Sequence, residues 1–174
     1  MNELATRLES LHEAAFQWAL HCSAGVRQDA EDGLQATYEA LLDGSACFKG
    51  QSSFKSFLFA VIRNKIRSQA RKKKVRRLVG LDDVRTPKVE AQGSKALEDA
   101  ERRRAIRRAL EELSPKQRDV LELVFYHDLT IEEAAQVMGV RLGTARTHYK
   151  RAKEGMRREL MKGGLQWKSA TTGT

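Results

Sequence analysis

The sequence predicts an all-α chain of two small helical domains joined by a flexible linker, and three observations carry that prediction. Runs of β-branched residues alternating with period two do not occur, whereas apolar residues recur at spacings of three and four from end to end. Between about Leu78 and Lys95 this stripe collapses into a stretch containing Pro87 and two glycines, which parts the helices into two groups. The third observation is charge: 32 Lys and Arg against 23 Asp and Glu give the 174 residues a formal net charge of +9. Such an excess is the electrostatic footprint of a protein that works against phosphate, so nucleic acid is the leading partner class.

The first helix is outlined by Leu4, Leu8, Leu11, Ala15, Trp18 and Ala19, and small, turn-compatible residues end it near Cys22 to Gly25. Asp29 is expected to cap a second helix. In it Leu34, Tyr38, Leu41 and Leu42 face inward, Glu31, Asp32, Gln35 and Glu39 face outward, and Asp43-Gly44-Ser45 stops it. Ser52 or Ser53 caps a third helix, whose inward set is Phe54, Phe57, Leu58, Val61, Ile62 and Ile66. From Arg63 to Arg77 it carries nine cations and no acid. A block of like charge this dense repels itself and should fray unless a polyanion neutralises it.

The boundaries this reading sets are a first domain at 1–77, a linker at 78–95, a second domain at 96–162 and a disordered tail at 163–174. Asp82, Asp83 and Glu90 depart from the basic character of the rest; the departure is either incidental or suits a segment lying in a basic channel made for nucleic acid. In the second domain a helix runs through Ile106, Ala109, Leu110 and Leu113 and breaks at Ser114-Pro115, where proline suits the first helical position. Ser114 with Gln117 forms a capping box, and the helix it opens is expected to bury Val120, Leu121, Val124 and Phe125.

Residues Thr130 to Lys153 then read as a helix-turn-helix. Thr130 with Glu133 makes a capping box, Ala134, Ala135 and Met138 give the first helix its apolar face, and Gly139 supplies the turn's positive φ. In the second helix Ala145, Tyr149, Ala152, Met156 and Leu160 keep helical spacing, which points Arg146, Thr147, Lys150 and Arg151 outward toward a DNA groove.

Other function classes find little support. No run of about 18 apolar residues exists, so membrane insertion is not expected. Met1 to Leu20 has charges scattered through it and lacks the uninterrupted apolar core of a secretory signal, which makes the cytoplasm the expected compartment. Cys22 and Cys47 have neither metal-ligand nor redox-motif spacing and are read as small buried residues. His12, His21, His127 and His148 are dispersed, no nucleophile constellation or phosphate-cradling glycine loop can be assembled, and no metal, cofactor or catalytic residue is expected.

The segments DAEDGLQATYEALL (Asp29 to Leu42), FKGQSSFKSFLFAVIRNKIRSQARKK (Phe48 to Lys73) and the stretch from Ala109 to Leu160 together resemble bacterial RNA polymerase sigma factors of the extracytoplasmic-function group of the sigma-70 superfamily. The first two look like that family's second region and the last like its fourth, in the family's order and separation. The resemblance implies a factor without chemistry of its own that binds core RNA polymerase and directs it to promoter DNA, often under an anti-sigma factor.

It also implies roles for residues. Asp32, Leu34 and Gln35 fall on the face for the polymerase's clamp helices; Ala36 stands where relatives often have Glu, and Glu39 could supply that charge. The Phe48 to Ser56 loop, with Phe48, Lys49, Ser53 and Lys55, is similar to the segment that captures a flipped base of the minus-ten element. Asn64, Lys65, Arg67, Ser68 and Arg71 fall on the helix that meets the opened strand, while Phe57, where relatives usually have Trp, is assigned to the core. GTARTHYKRAK is similar to the minus-thirty-five recognition helix, with Arg141, Thr144, Arg146, Thr147, His148, Lys150 and Arg151 at base or phosphate positions and His148 replacing a usual Arg. A stand-alone helix-turn-helix regulator is the alternative, but neither a dimerisation seam nor a sensor region is legible.

Overall fold

The computed structural model describes residues 3–78 and 97–162. All regular structure among them is helical: α1 (Glu3–Cys22), α2 (Arg27–Leu42), α3 (Phe54–Leu78), α4 (Leu97–Glu111), α5 (Pro115–Leu121), a π-helical turn (Glu122–Tyr126), α6 (Ile131–Met138) and α7 (Leu142–Lys162). The expected tail and all but the first residue of the expected linker lie outside the described residues. Two compact units result: residues 132–140, hence nearly all of α6, group with α1 to α3, while α4, α5, the π turn and α7 make up the other.

In the first unit α1, α2 and α3 pack against one another around Trp18, Leu58, Phe59 and Ile62, all fully buried. The Trp18 indole stacks on Phe59 at 5.8 Å between centroids, and its Nε1–H donates to the Phe59 carbonyl at 3.0 Å, satisfying the one polar group the ring brings into the core. Phe59 and Arg63 are buried members that the expected inward set of α3 omitted, whereas Phe54 and Phe57 are only half-buried. Those two rings instead cluster with Phe48, at 5.5 and 5.4 Å from it. Gly33 lets α2 and α3 approach closely, since a Cβ there would lie 2.3 Å from Ile66 Cγ1.

Three local expectations are corrected here. Asp29 does not cap α2: the helix starts at Arg27 after Val26, behind a turn in which Ala24 and Gly25 have φ of 54° and 81°, and Asp29 lies in the first turn paired with Lys73. Leu42 does not face inward but is 67% exposed at the end of α2. The third concerns the cationic half of α3, expected to fray unless a polyanion neutralises it: the helix is continuous to Leu78. Lys and Arg are good helix formers, and each like-charge neighbour pair costs only about 0.2–0.5 kcal/mol. The Asp29–Lys73 pair also neutralises one cation.

In the second unit α4 and α5 pack on α7. Ser114 caps α5 as expected: its hydroxyl accepts from the Gln117 N–H while Gln117 Oε1 accepts from the Ser114 N–H. The π turn then changes the helical register, with the His127 N–H reaching the Glu122 carbonyl five residues back. That extra residue rotates Leu123 into the core and leaves Phe125 42% exposed, overturning the expectation that Phe125 is buried. Gly155 brings α7 against Leu113, in the turn between α4 and α5, whose Cδ2 would lie 2.7 Å from an added Cβ.

Candidate nucleic-acid and polymerase interface

On α3 the angular step of about 100° per residue sets the site. Asn64, Arg67, Ser68 and Arg71 follow the spacing i, i+3, i+4, i+7 and so form one stripe, opposite the buried Ile62 and Ile66. Asn64, Arg67 and Arg71 are exposed, and Ser68, Arg71, Lys72 and Val75 line an open concavity of about 490 Å³. Lys65 sits to one side of this stripe, close enough to help hold the Asp43 carboxyl below its ordinary range, although the Ser45 backbone N–H is the larger cause.

The expected capture loop is shorter than the sequence suggested, because Phe54, Lys55 and Ser56 already belong to α3. Ser53 caps that helix, its Oγ accepting from the Ser56 N–H at 3.2 Å. Lys49 is exposed, Phe48 is 37% exposed, and Lys55 leans over the Phe59 ring with its Nζ 5.8 Å from the centroid. The structure thus brings Phe48, Ser53 and Lys55 to one end of α3 and the Asn64 stripe to its middle.

On α2, Asp32, Gln35 and Glu39 are exposed at i, i+3 and i+7, with Gln35 Nε2 donating to Glu39 Oε1 at 3.0 Å. Leu34 does not share their face. It lies about 200° around the helix from Asp32 and is buried in the core at 5% exposure. The apolar residue that does continue the stripe is Leu42, which sequence reasoning placed inside; the i+3, i+7, i+10 spacing from Asp32 was the signal that could have found it.

On α7 the buried seam is Ala145, Tyr149, Ala152, Gly155, Met156 and Leu160. Thr144, Arg146, Thr147, Lys150 and Arg151 are exposed away from it, as is Arg141 just before the helix, and His148 is half-buried at the margin. Thr147 Oγ1 donates back to the Gly143 carbonyl at 2.9 Å, which uses its proton locally and leaves its lone pairs and methyl outward. Desolvation first, then the charges of Lys116 and Arg151, push the His148 pKa below the ordinary histidine value, so the ring is neutral at pH 7 and adds no cation to this face. Gly139, between α6 and α7, has φ of 64°, the left-handed conformation the turn was expected to need.

Among the described residues no three His, Cys, Asp or Glu side chains stand together as metal ligands, and no helix is long and apolar enough to cross a membrane. Neither cysteine is buried as expected: Cys22 is half-buried, and Cys47 is exposed with its thiol donating to the Gly44 carbonyl.

The family model for sigma-70 region 2 matches residues 8–76, and that for sigma-70, region 4 matches residues 103–156. No curated protein sequence matches. Among solved structures the chain is similar to the sigma factor RpoE from Bartonella quintana, seen in complex with the anti-sigma factor NepR, at a TM-score of 0.69 and 27% identity over 92% of this chain and 98% of that one. A chain of the complex between CnrH and the cytosolic domain of CnrY is similar in fold, with a TM-score of 0.58 and 20% identity over 92% and 90% of the two chains. So is one from the complex of the anti-anti-sigma factor PhyR with NepR from Bartonella quintana, at 0.55 and 14% over 91% of this chain and 51% of that one. With region 2 and region 4 both matched in order, the chain belongs to the sigma-70 superfamily.

Proposed function

We propose that this sigma factor binds core RNA polymerase and directs it to promoters, region 2 holding the opened minus-ten strand and region 4 reading the minus-thirty-five element. The observation that carries the reading is the pair of cationic helices, α3 with its cations running beyond a buried first half and α7 with its cations on the face turned away from a buried seam. In the proposed division region 2 occupies 1–77, a linker 78–95, region 4 96–162 and a tail 163–174. The factor itself performs no chemistry, and its place of work is the cytoplasm, where the polymerase is.

Three surfaces divide the work. Asp32, Gln35 and Glu39, with Leu42 beside them, would meet a basic coiled coil of the polymerase: carboxylates and an amide choose the partner by charge, and an exposed leucine offers area for packing. Buried Leu34 supports that face from behind. Unstacking a base costs a few kcal/mol, and Phe48, Lys49, Ser53 and Lys55 at the start of α3 offset it with hydrogen bonds and charge, while Asn64, Lys65, Arg67, Ser68 and Arg71 track the strand. On α7, Arg146 suits bidentate contact with guanine, Thr147 and Thr144 suit methyl or hydroxyl contact, and Arg141, Lys150 and Arg151 grip phosphate. His148, its pKa held low in the free chain, contributes an imidazole hydrogen bond and takes up a charge only as pH falls. An anti-sigma factor is the expected antagonist, by similarity to the RpoE complex with NepR.

Reconstitution tests this. The purified chain with core polymerase should open a selected promoter and give run-off transcripts, while alone it should bind duplex weakly and with steep salt dependence. Specific, salt-resistant duplex binding by the chain alone, with no transcript in the reconstituted system, would instead establish a self-sufficient regulator.

A further inference from the structure

Helix α3 carries one large side chain that the surfaces above leave unexplained. Val75 follows directly on Arg71, Lys72, Lys73 and Lys74, and it is 60% exposed. Among the described residues it is the one large apolar side chain of α3 left in the open; the others are buried or half-buried. An isolated apolar residue on a surface is ordinary by itself. What sets this one apart is where the helix puts it.

Eleven steps of about 100° bring Val75 within about 20° of Asn64, so it extends the stripe of Asn64, Ser68 and Arg71 by one more turn. Nine steps put it about 180° around the helix from Ile66, which is buried in the core at 3% exposure. Lys73, about 200° around from Val75, is paired with Asp29 of α2 and so ties the other side of the helix to the bundle. Val75 thus closes the open concavity whose other lining residues are Ser68, Arg71 and Lys72. Two cations, a hydroxyl and two methyl groups surround one open space.

A track built for phosphate alone has no use for valine. The side chain supplies neither a charge nor a hydrogen bond, and valine is a poorer helix former than the Lys and Arg beside it. Its methyl groups offer only apolar contact, and on a DNA strand the matching group is specific: of the four bases only thymine carries a methyl, at C5. Arg71 and Lys72 lie one turn back, about 6 and 4.5 Å along the axis, where they can hold the phosphates that flank such a base.

We infer that Val75 is a specificity-determining residue: its methyl groups pack on the C5-methyl of a thymine in the minus-ten region while Arg71 and Lys72 hold the flanking phosphates. The inference rests on the minus-ten reading above. Val75 stands about 16 Å along the axis from Asn64, so the thymine lies within about five nucleotides of the one that Asn64 meets. A helix otherwise given to phosphate then reads one base by shape.

The test uses holoenzyme reconstituted from the full chain and core polymerase, with a promoter that the native holoenzyme selects from a random pool. Each thymine of its minus-ten region is replaced singly by deoxyuridine, which removes the methyl and keeps the pairing edge. At one position the replacement should weaken holoenzyme binding about three- to fourfold, the worth of one methyl group taken out of water. Val75→Ala should erase that dependence, binding the two promoters equally, and Val75→Thr, which keeps one methyl, should restore part of it. Alanine favours the helix more than valine does, so α3 persists in the variant, as circular dichroism checks. No sensitive thymine, or a sensitivity that Val75→Ala leaves intact, would overturn the inference. So would an equal loss on both promoters with core polymerase affinity reduced, which makes Val75 a protein contact. Run-off transcription by the native holoenzyme separates the two ideas: transcripts without a sensitive thymine defeat the role of Val75 alone, whereas no transcripts defeat the minus-ten reading and this role together.

Discussion

Helices α3 and α7 are both long and basic, yet they separate charge from core in different ways. In α3 the division runs along the axis: Ser56, Leu58, Phe59, Ile62 and Ile66 anchor the first half, and all but one of the cations from Arg63 onward are left exposed or half-exposed wherever their side chains are described. In α7 the division runs around the axis, with buried residues from Ala145 to Leu160 along one seam and cations along the opposite face. An anchored rod with a cationic end suits an extended single strand, which needs a track. A helix cationic on one face throughout suits a groove, which needs a blade seated on a rigid support. Charge totals alone do not distinguish these uses; where the apolar residues stop does.

The sharpest way to break this comparison is to disturb the supports. Gly33→Ala should cost about 1–3 kcal/mol of stability by overpacking, because the new methyl meets Ile66 Cγ1, an inner atom of a buried branched side chain. Gly155→Ala meets only the terminal Cδ2 of Leu113, and the helix propensity gained, about 0.8–1.0 kcal/mol, should bring its net effect near zero. Urea denaturation of the two variants decides the matter, and equal losses would show that α7 is seated as tightly as α3.

A second test addresses use rather than support. Arg146→Ala should lower discrimination at one minus-thirty-five position by about 1–3 kcal/mol, roughly tenfold in relative affinity, with opening of the minus-ten region retained. Asn64→Ala should slow strand opening, followed by permanganate reactivity, while duplex contacts persist. If both variants impair both steps equally, the two helices do not divide the work.

The smallest expected effect concerns His148. Its folded-state pKa lies below the unfolded value, so the histidine's contribution to stability is present above the unfolded pKa of about 6.5 and is lost as pH falls through the folded value. DNA reverses the preference, since a phosphate nearby favours the imidazolium. Duplex affinity of the holoenzyme should therefore rise slightly between pH 7 and pH 5.5 more in the native protein than in His148→Gln, as measured by titration at constant ionic strength. A pH response identical in the two would place His148 away from the phosphates.

Most of the fold and the outline of the site were legible from residue order, for a local reason. Helical spacing, the Ser114 and Gln117 box and the Gly139 turn are each decided within about four residues, so the sequence by itself determined the helices, the exposed face of α7 and the Asn64 stripe of α3. It also determined the cationic balance, which no folding can change. Only tertiary structure decided that Leu34 is core and Leu42 surface, that Phe59 and Arg63 are buried, that a π turn trades Phe125 for Leu123, and that Glu133 reaches Ser53 and Ser56. Each of those depends on which distant segment supplies the opposing wall, and burial and hydrogen bonding are set by that neighbour rather than by the residues beside them in the chain.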